Sequence, residues 1–147
     1  MEQLERRRIL EHLTRLPDAL RQRILVDSLG CWRWTSHRDR NGYAIFGKKR
    51  KFAHRLAYEA AVGPIPEGLT IDHLCRVRDC LNPAHMEPVT RGENVLRGDG
   101  ITARNARKTH CHRGHPLNGE NLDLCEPGHR RCRQCRRDRD RNRRMAA

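Results

Sequence analysis

The residues of this chain best suited to chemistry are a neighbouring carboxylate and imidazole, Asp72 and His73, followed by an amide, Asn94. A carboxylate next to a histidine can place a metal ligand beside a general base, and a later amide oxygen can complete the metal site. Phosphodiester hydrolysis needs a base to deprotonate water and a cation to stabilise the leaving oxygen. These three residues therefore indicate metal-assisted hydrolysis, provided that the fold brings them together.

The elements that must position them are two strands and a helix. The pattern predicts a strand over residues 69–74, a second strand over residues 85–89 and a following helix. Thr90 and Glu93 have the spacing of a capping box, which marks the start of that helix. Side chains alternate between the two faces of a strand, so neighbours at the end of the first strand can face a metal and a water. The predicted order is a ββα unit.

A first set of soft metal ligands surrounds the loop between those strands. Cys75, Cys80 and His85 are each separated by four residues. A structural zinc ion takes four ligands, and Cys31 is the candidate for the fourth, with a reduced buried thiol as the alternative. Such a site would hold a loop that lacks a core of its own.

A second set lies nearer the C-terminus. Cys111 and His115 are followed by the pair Cys132 and Cys135, with sixteen residues in between. Paired Cys/His spacing of this kind predicts a second zinc site, in which His112 is the alternative to His115. Cys125 is left without a role.

The ββα unit with its cysteines resembles the HNH, or ββα-metal (His-Me finger), endonucleases, in particular the phage and homing-endonuclease branch. The resemblance covers residues 31–97. The segments that carry it, besides the Asp-His pair and the loop cysteines, are Gly42-Tyr43, His54-Arg55-Leu56-Ala57 and Glu93-Asn94.

The resemblance implies a role for each polar residue of the unit. His73 matches the general base, while Asp72 and Asn94 match the ligands of one Mg²⁺ or Mn²⁺ ion. The family also has a polar residue that braces the base, and both His85 and Asn82 are candidates for that position. If His85 binds zinc, Asn82 becomes the brace.

The composition indicates a polyanionic partner. The formal net charge is +13 and the hydrophobic fraction is 36% in 147 residues, so the core is small and zinc would compensate for it. No apolar run approaches the roughly 18 residues of a membrane span, and the charged N-terminus predicts no secretory signal. We expect a cytoplasmic protein, in the host cell if a phage encodes it, whose partner is double-stranded DNA.

Two groups of cations are expected to contact DNA. The first is at a predicted hairpin tip and on the helix after it: Lys48, Lys49, Arg50, Lys51 and Arg55. The second follows the C-terminal cluster: Arg130, Arg131, Arg133, Arg136 and Arg137. A second copy of the chain, or a phage or host protein, would be the protein partner.

The chain is thus predicted to be an α+β protein, a small zinc-stapled ββα-metal nuclease domain with a C-terminal zinc-binding module. The expected segments are a helical segment over 1–29, the nuclease domain over 30–98, a linker over 99–109, the zinc module over 110–136 and a basic tail over 137–147. The expected activity is cutting or nicking of duplex DNA with two structural zinc ions per chain. The alternative is a zinc-binding nucleic-acid adaptor without catalysis.

Overall fold

The computed structural model describes residues 11–126 and 129–146. The chain divides into two compact units, of which the first ends at Asn94 and the second begins at Val95. The first ten residues of the expected helical segment over 1–29 lie outside the described residues. Among the described residues, no helix is both long and apolar enough to cross a bilayer.

The first unit is built from short helices and three two-stranded antiparallel sheets. In chain order its elements are α1 (residues 11–15), α2 (Asp18–Arg21), β1 (Ile24–Val26), β2 (Trp32–Trp34), β3 (Ile45–Phe46), β4 (Lys51–Phe52), α3 (Ala53–Ala61), β5 (Leu69–His73), a 3₁₀ turn (Pro83–His85) and β6 (Met86–Thr90). Helix α4 (Arg91–Arg97) follows β6 directly. The predicted ββα order is therefore confirmed.

The core of this unit rests on two tryptophans. Trp32 and Trp34 lie on β2 with at most 1% of their surface exposed, and they pack with Leu20, Leu81 and Ala57. Large aromatic side chains bury much apolar area per residue. A chain with few aromatic residues can thus still form a small closed core.

The expected helical segment over 1–29 is wrong for its last part. Residues 24–26 form β1, which pairs with β2 in the register Ile24 to Trp34. The turn between them decides this, because the Asp27 carboxylate accepts hydrogen bonds from the backbone N–H groups of Leu29 and Cys31. Gly30 in the same turn has a φ of +75°, a conformation that favours glycine.

The second unit begins in helix α4 and continues with α5 (Ile101–Arg107), a 3₁₀ turn (Gly119–Asn121), β7 (Leu122–Glu126), β8 (His129–Cys132) and α6 (Arg133–Met145). The expected linker over 99–109 is thus largely the helix α5, whose Ala103 is fully buried. The expected basic tail is the continuation of α6, which runs without a break from the zinc module.

Candidate active site

His73 ends β5 and is held by a backbone carbonyl. Its Nε2 lies 3.1 Å from the carbonyl oxygen of Cys80, and only 6% of the residue is exposed. Because a carbonyl can only accept, Nε2 carries the proton of the neutral ring. The Nδ1 atom is then the basic nitrogen, the one able to take a proton from water.

The surroundings of His73 favour this neutral form. Burial lowers the pKa of His73 below its ordinary value, against the opposing effects of the Cys80 carbonyl and the charge of Asp72. A lowered pKa keeps the imidazole unprotonated at neutral pH, as a general base requires.

Asp72 and Asn94 reach the same end of β5 from different elements. The Asp72 carboxylate is 3% exposed and accepts a 2.7 Å hydrogen bond from Arg76. Asn94, on helix α4, donates from Nδ2 to the carbonyl of Ile71 at 3.3 Å, which leaves its Oδ1 as the ligand atom. A carboxylate oxygen and an amide oxygen are the hard donors that Mg²⁺ and Mn²⁺ take. The residues present thus fit the expected ion.

The strand register adds a second carboxylate that the sequence analysis missed. Asp72 on β5 is directly opposite Glu87 on β6. Opposed residues of an antiparallel pair project from the same face of the sheet. Glu87 is visible in the sequence as an acidic residue of the second strand. Only the strand register shows that Glu87, and not a neighbouring residue, lies opposite Asp72.

Two rings pack against His73 and a third packs against those two, and none of the three was given a role from the sequence. The rings of His54 and His73 meet edge to face with centroids 4.8 Å apart, and Tyr43 lies 6.1 Å from His73. Phe52 closes the group 5.5 Å from His54. His54 and Tyr43 belong to the segments that carry the family resemblance. Their place in those segments was the sequence feature that could have pointed to a position near the site.

His54 is a buried and neutral member of this group. It is 6% exposed, and its Nδ1 has no hydrogen-bond partner among the described residues. Burial, together with the positive potentials of His73 and Arg55, lowers the pKa of His54 to about 3. His54 therefore packs against the base as an uncharged ring.

The first predicted zinc set comes together in the structure. The ligand atoms of Cys31, Cys75, Cys80 and His85 all lie within 4.8 Å of one another. The His85 Nδ1 is 3.5 Å from the Cys31 sulfur and 3.7 Å from the Cys80 sulfur. Zinc–ligand bonds of tetrahedral geometry place sulfur and nitrogen about 3.6 Å apart. Three thiols and one imidazole at these separations fit Zn²⁺.

Burial favours the protonated form of these thiols when no cation is bound. Burial raises the pKa of Cys31 to about 11, and it raises the pKa of Cys80 as well. Clustered thiols of this kind become thiolates around a cation that replaces their protons.

The geometry separates the two candidates for the brace. His85 lies in the cysteine cluster, while the Asn82 amide is occupied by the carbonyl of Gly30 at 2.8 Å and the N–H of Ala84 at 3.0 Å. Asn82 thus caps the 3₁₀ turn instead of touching the base. The group that holds His73 is the carbonyl of Cys80.

The loop that carries this carbonyl is tied to β2. Asp79, 5% exposed, forms ion pairs with Arg33 at 3.1 Å and Arg38 at 2.7 Å. The backbone N–H of Leu81 also donates to the carbonyl of Trp32. The loop is therefore fixed both by the cysteine cluster and by the core strand.

The second predicted zinc set is also assembled, in the second unit. The ligand atoms of Cys111, His115, Cys132 and Cys135 lie within 4.8 Å of one another. The sulfurs of Cys111 and Cys135 are 3.6 Å apart, and the His115 Nδ1 is 3.3 Å from the Cys135 sulfur. These distances suit a tetrahedral zinc ion and are far longer than a disulfide bond.

The expected DNA-contacting cations have different surroundings. Residues 48–50 are exposed at the tip of the β3–β4 hairpin, and Lys51 is exposed at the start of β4. Arg55 is half-buried on α3. Arg130 is different, because its guanidinium donates to the carbonyls of Asn105, Ala106 and Lys108 and to that of Leu117. This side chain closes the end of α5 and is committed to the fold of its own unit.

Two known proteins similar to this chain come from bacteriophages. The uncharacterised gene 5.3 protein of Enterobacteria phage T3 is 34% identical over 77 residues, which are 46% of this chain and 76% of that protein. Protein 2.8 of Escherichia phage T7 is 29% identical over 111 residues, 73% of this chain and 71% of that protein. The HNH endonuclease family matches residues 51–96. The chain belongs to the HNH endonuclease family.

The family match contains the whole predicted HNH site. Residues 51–96 include Asp72, His73 and Asn94 together with three of the four residues of the first cysteine cluster. The C-terminal cluster of this HNH protein lies outside the matched segment. No solved structure matches the chain.

Proposed function

We propose that this HNH protein is a metal-dependent endonuclease that hydrolyses phosphodiester bonds in double-stranded DNA. The observation that carries the proposal is the position of His73, buried at the end of β5 with Nε2 on the Cys80 carbonyl and Asp72 as its neighbour. The two phage relatives favour a phage-encoded enzyme that acts in the host cell.

In the proposed reaction, the Nδ1 of His73 takes a proton from a water molecule. The resulting hydroxide bonds to the phosphorus while the bond from phosphorus to the leaving sugar oxygen breaks, and that oxygen takes a proton from solvent. The oxygens of Asp72 and Asn94 would hold a Mg²⁺ or Mn²⁺ ion, whose chemistry is to stabilise charge on the phosphate and the leaving oxygen. The hydrogen bond from Nε2 to Cys80 keeps the ring oriented during the transfer and favours the protonated imidazole that forms.

We also infer that the first cysteine cluster binds zinc and so holds this site in place. The cluster includes Cys80, whose carbonyl orients the base, and His85, which ends the turn before β6. We infer that zinc there has a structural role, since its four ligands leave no open position for substrate.

Incubation of the purified protein with supercoiled plasmid tests the proposal. We expect relaxed circles with Mg²⁺ or Mn²⁺ and none with zinc alone, because the bound zinc ions are coordinatively closed. One active site cuts one strand, so linear plasmid would indicate two cooperating chains.

Asp72→Ala and Asn94→Ala are the informative variants. Each should raise the Mg²⁺ concentration needed for cutting or abolish cutting, because each removes an oxygen ligand. Asn118→Ala, in the second unit and outside both metal sites, is the control and should cut at the wild-type rate. An intact, zinc-loaded protein that binds DNA but leaves plasmid uncut under all these conditions would make it an adaptor, not an enzyme.

A further inference from the structure

The second unit contains an open groove of about 1180 Å³ along helix α6. The second cysteine cluster forms part of its wall, through Cys111, Cys132 and Cys135. The ionised side chains that line it are mostly cationic: Lys108, Arg130, Arg131, Arg136, Arg139 and Arg143, with one carboxylate, Asp140. Such an excess of positive charge in a concave surface suits a polyanion.

One face of α6 supplies three of these six cations. Arg136, Arg139 and Arg143 have the i, i+3, i+7 spacing that places residues on the same side of a helix. They are exposed, and the first lies 3.6 Å from the carboxylate of Asp123. The span from the first to the last is about 10 Å along the axis. That length is about three nucleotide steps of one DNA strand.

Other arginines of the same helix do not line the groove. Arg137, Arg141 and Arg144 have the equivalent i, i+4, i+7 spacing and are equally exposed, but they belong to a different face. The helix therefore contains two arginine stripes of equal charge, only one of which faces the groove.

We propose that the groove binds the phosphate backbone of a DNA strand through the stripe of Arg136, Arg139 and Arg143. The proposal rests on the proposed function, from which DNA is taken as the polyanion. It assigns Arg130 to the fold of the unit, because four backbone carbonyls already accept from its guanidinium. It also predicts that Arg137 on the opposite stripe contributes little specific affinity.

The test compares two triple variants of the full-length protein that remove the same charge from the same helix. The groove variant is R136Q/R139Q/R143Q, and the matched control is R137Q/R141Q/R144Q. Binding to a fluorescent 20-base-pair duplex and to a single strand of the same length is measured by anisotropy over a salt series. No Mg²⁺ is added, so cleavage plays no part in the result.

We expect the groove variant to lower the slope of log K against log salt by about 2 to 3, because each lost phosphate contact contributes about 0.9. The control should keep most of the wild-type slope. The two DNA forms distinguish a duplex site from a single-strand site. An equal decrease of the slope in both variants would show that the arginines of α6 attract DNA without a specific site. An unchanged slope in both variants would show that the groove does not bind DNA. Either outcome overturns the proposal.

Folding and the nuclease proposal are controlled separately. Zinc content and circular dichroism must match wild type in both variants, and the single variants R139Q and R137Q repeat the comparison at smaller charge change. A protein that does not cut plasmid can still show a difference in DNA binding between the two triple variants. The binding proposal and the nuclease proposal can therefore fail independently.

Discussion

The Nε2 of His73 lies 3.1 Å from the carbonyl oxygen of Cys80, and the sulfur of the same Cys80 belongs to the first cysteine cluster. The proposed base and the first cysteine cluster are therefore linked through one residue. The hydrogen bond fixes both the tautomer and the orientation of the imidazole. We therefore expect loss of the cluster to displace the Cys80 carbonyl and so to disturb the orientation of His73.

Replacing Cys80 with serine tests this link. We expect Cys80→Ser to lower the zinc content from about two ions per chain to about one, to lower the melting temperature and to abolish plasmid cutting. Structural zinc contributes folding free energy outright in small domains. Elemental analysis, thermal melting and plasmid cutting measure the three effects.

The matched control is Cys125→Ser, because Cys125 is exposed and lies outside both clusters. It should retain two zinc ions and full cutting. Full cutting by a zinc-depleted Cys80→Ser protein would contradict the link between cluster and base.

The base itself is tested by His73→Ala. We expect cleavage to fall by roughly 10²- to 10⁴-fold, the usual contribution of a general base. DNA affinity should stay near wild type, because the exposed cations are untouched. The exposed His37→Ala is the control for loss of a histidine. Cutting by His73→Ala at near the wild-type rate would remove this residue from the mechanism.

His54 should make the stability of the protein depend on pH. Its pKa is lowered from 6.5 to about 3 in the folded state, so the unfolded chain binds a proton that the folded chain does not. Its contribution is fully present above pH 6.5 and is lost as the pH falls from there toward 3. The slope approaches about 1.4 kcal/mol per pH unit within that window.

His54→Phe keeps an aromatic ring and removes this titration. Acidification also protonates zinc ligands, so the measured quantity is the difference between wild type and variant in unfolding free energy from pH 7 to pH 5.5. We expect the variant to lose less stability on acidification. Parallel pH curves would show that the pKa of His54 is the same in the folded and the unfolded protein.

Arg130→Ala should weaken the second unit. Three of its four hydrogen bonds to carbonyls connect β8 to the end of α5, and the fourth reaches Leu117. A hydrogen bond from a charged donor contributes about 1.5 to 3 kcal/mol. We expect faster hydrogen exchange in residues 101–107 and easier loss of one zinc ion. The exposed Arg133→Ala is the control. If Arg130→Ala leaves exchange unchanged and only weakens DNA binding, the side chain is a phosphate contact.

Local patterns were sufficient for the strands and caps of the site. The alternation and turn residues predicted β5 and β6, and Thr90 and Glu93 form the expected capping box with bonds of 2.7 to 3.2 Å. Cysteine and histidine spacing predicted both clusters, because metal ligands separated by two to four residues are constrained by local geometry. Residues 24–26 were misread as helix, since their pairing with β2 is a tertiary contact that overrides local propensity.

The sequence by itself determined which chemistry the chain can carry, through the Asp72-His73 pair, Asn94 and the two ligand sets. Tertiary structure decided which group orients the base, giving this position to the carbonyl of Cys80 and using Asn82 to cap a turn. It also decided which arginines are available to a ligand. Arg130 and Arg139 lie in equally arginine-rich sequence, but the guanidinium of Arg130 is bound to backbone carbonyls. The physical reason is that a hydrogen-bond partner or a groove is defined by distances between residues far apart in the chain, and residue type and spacing do not contain those distances.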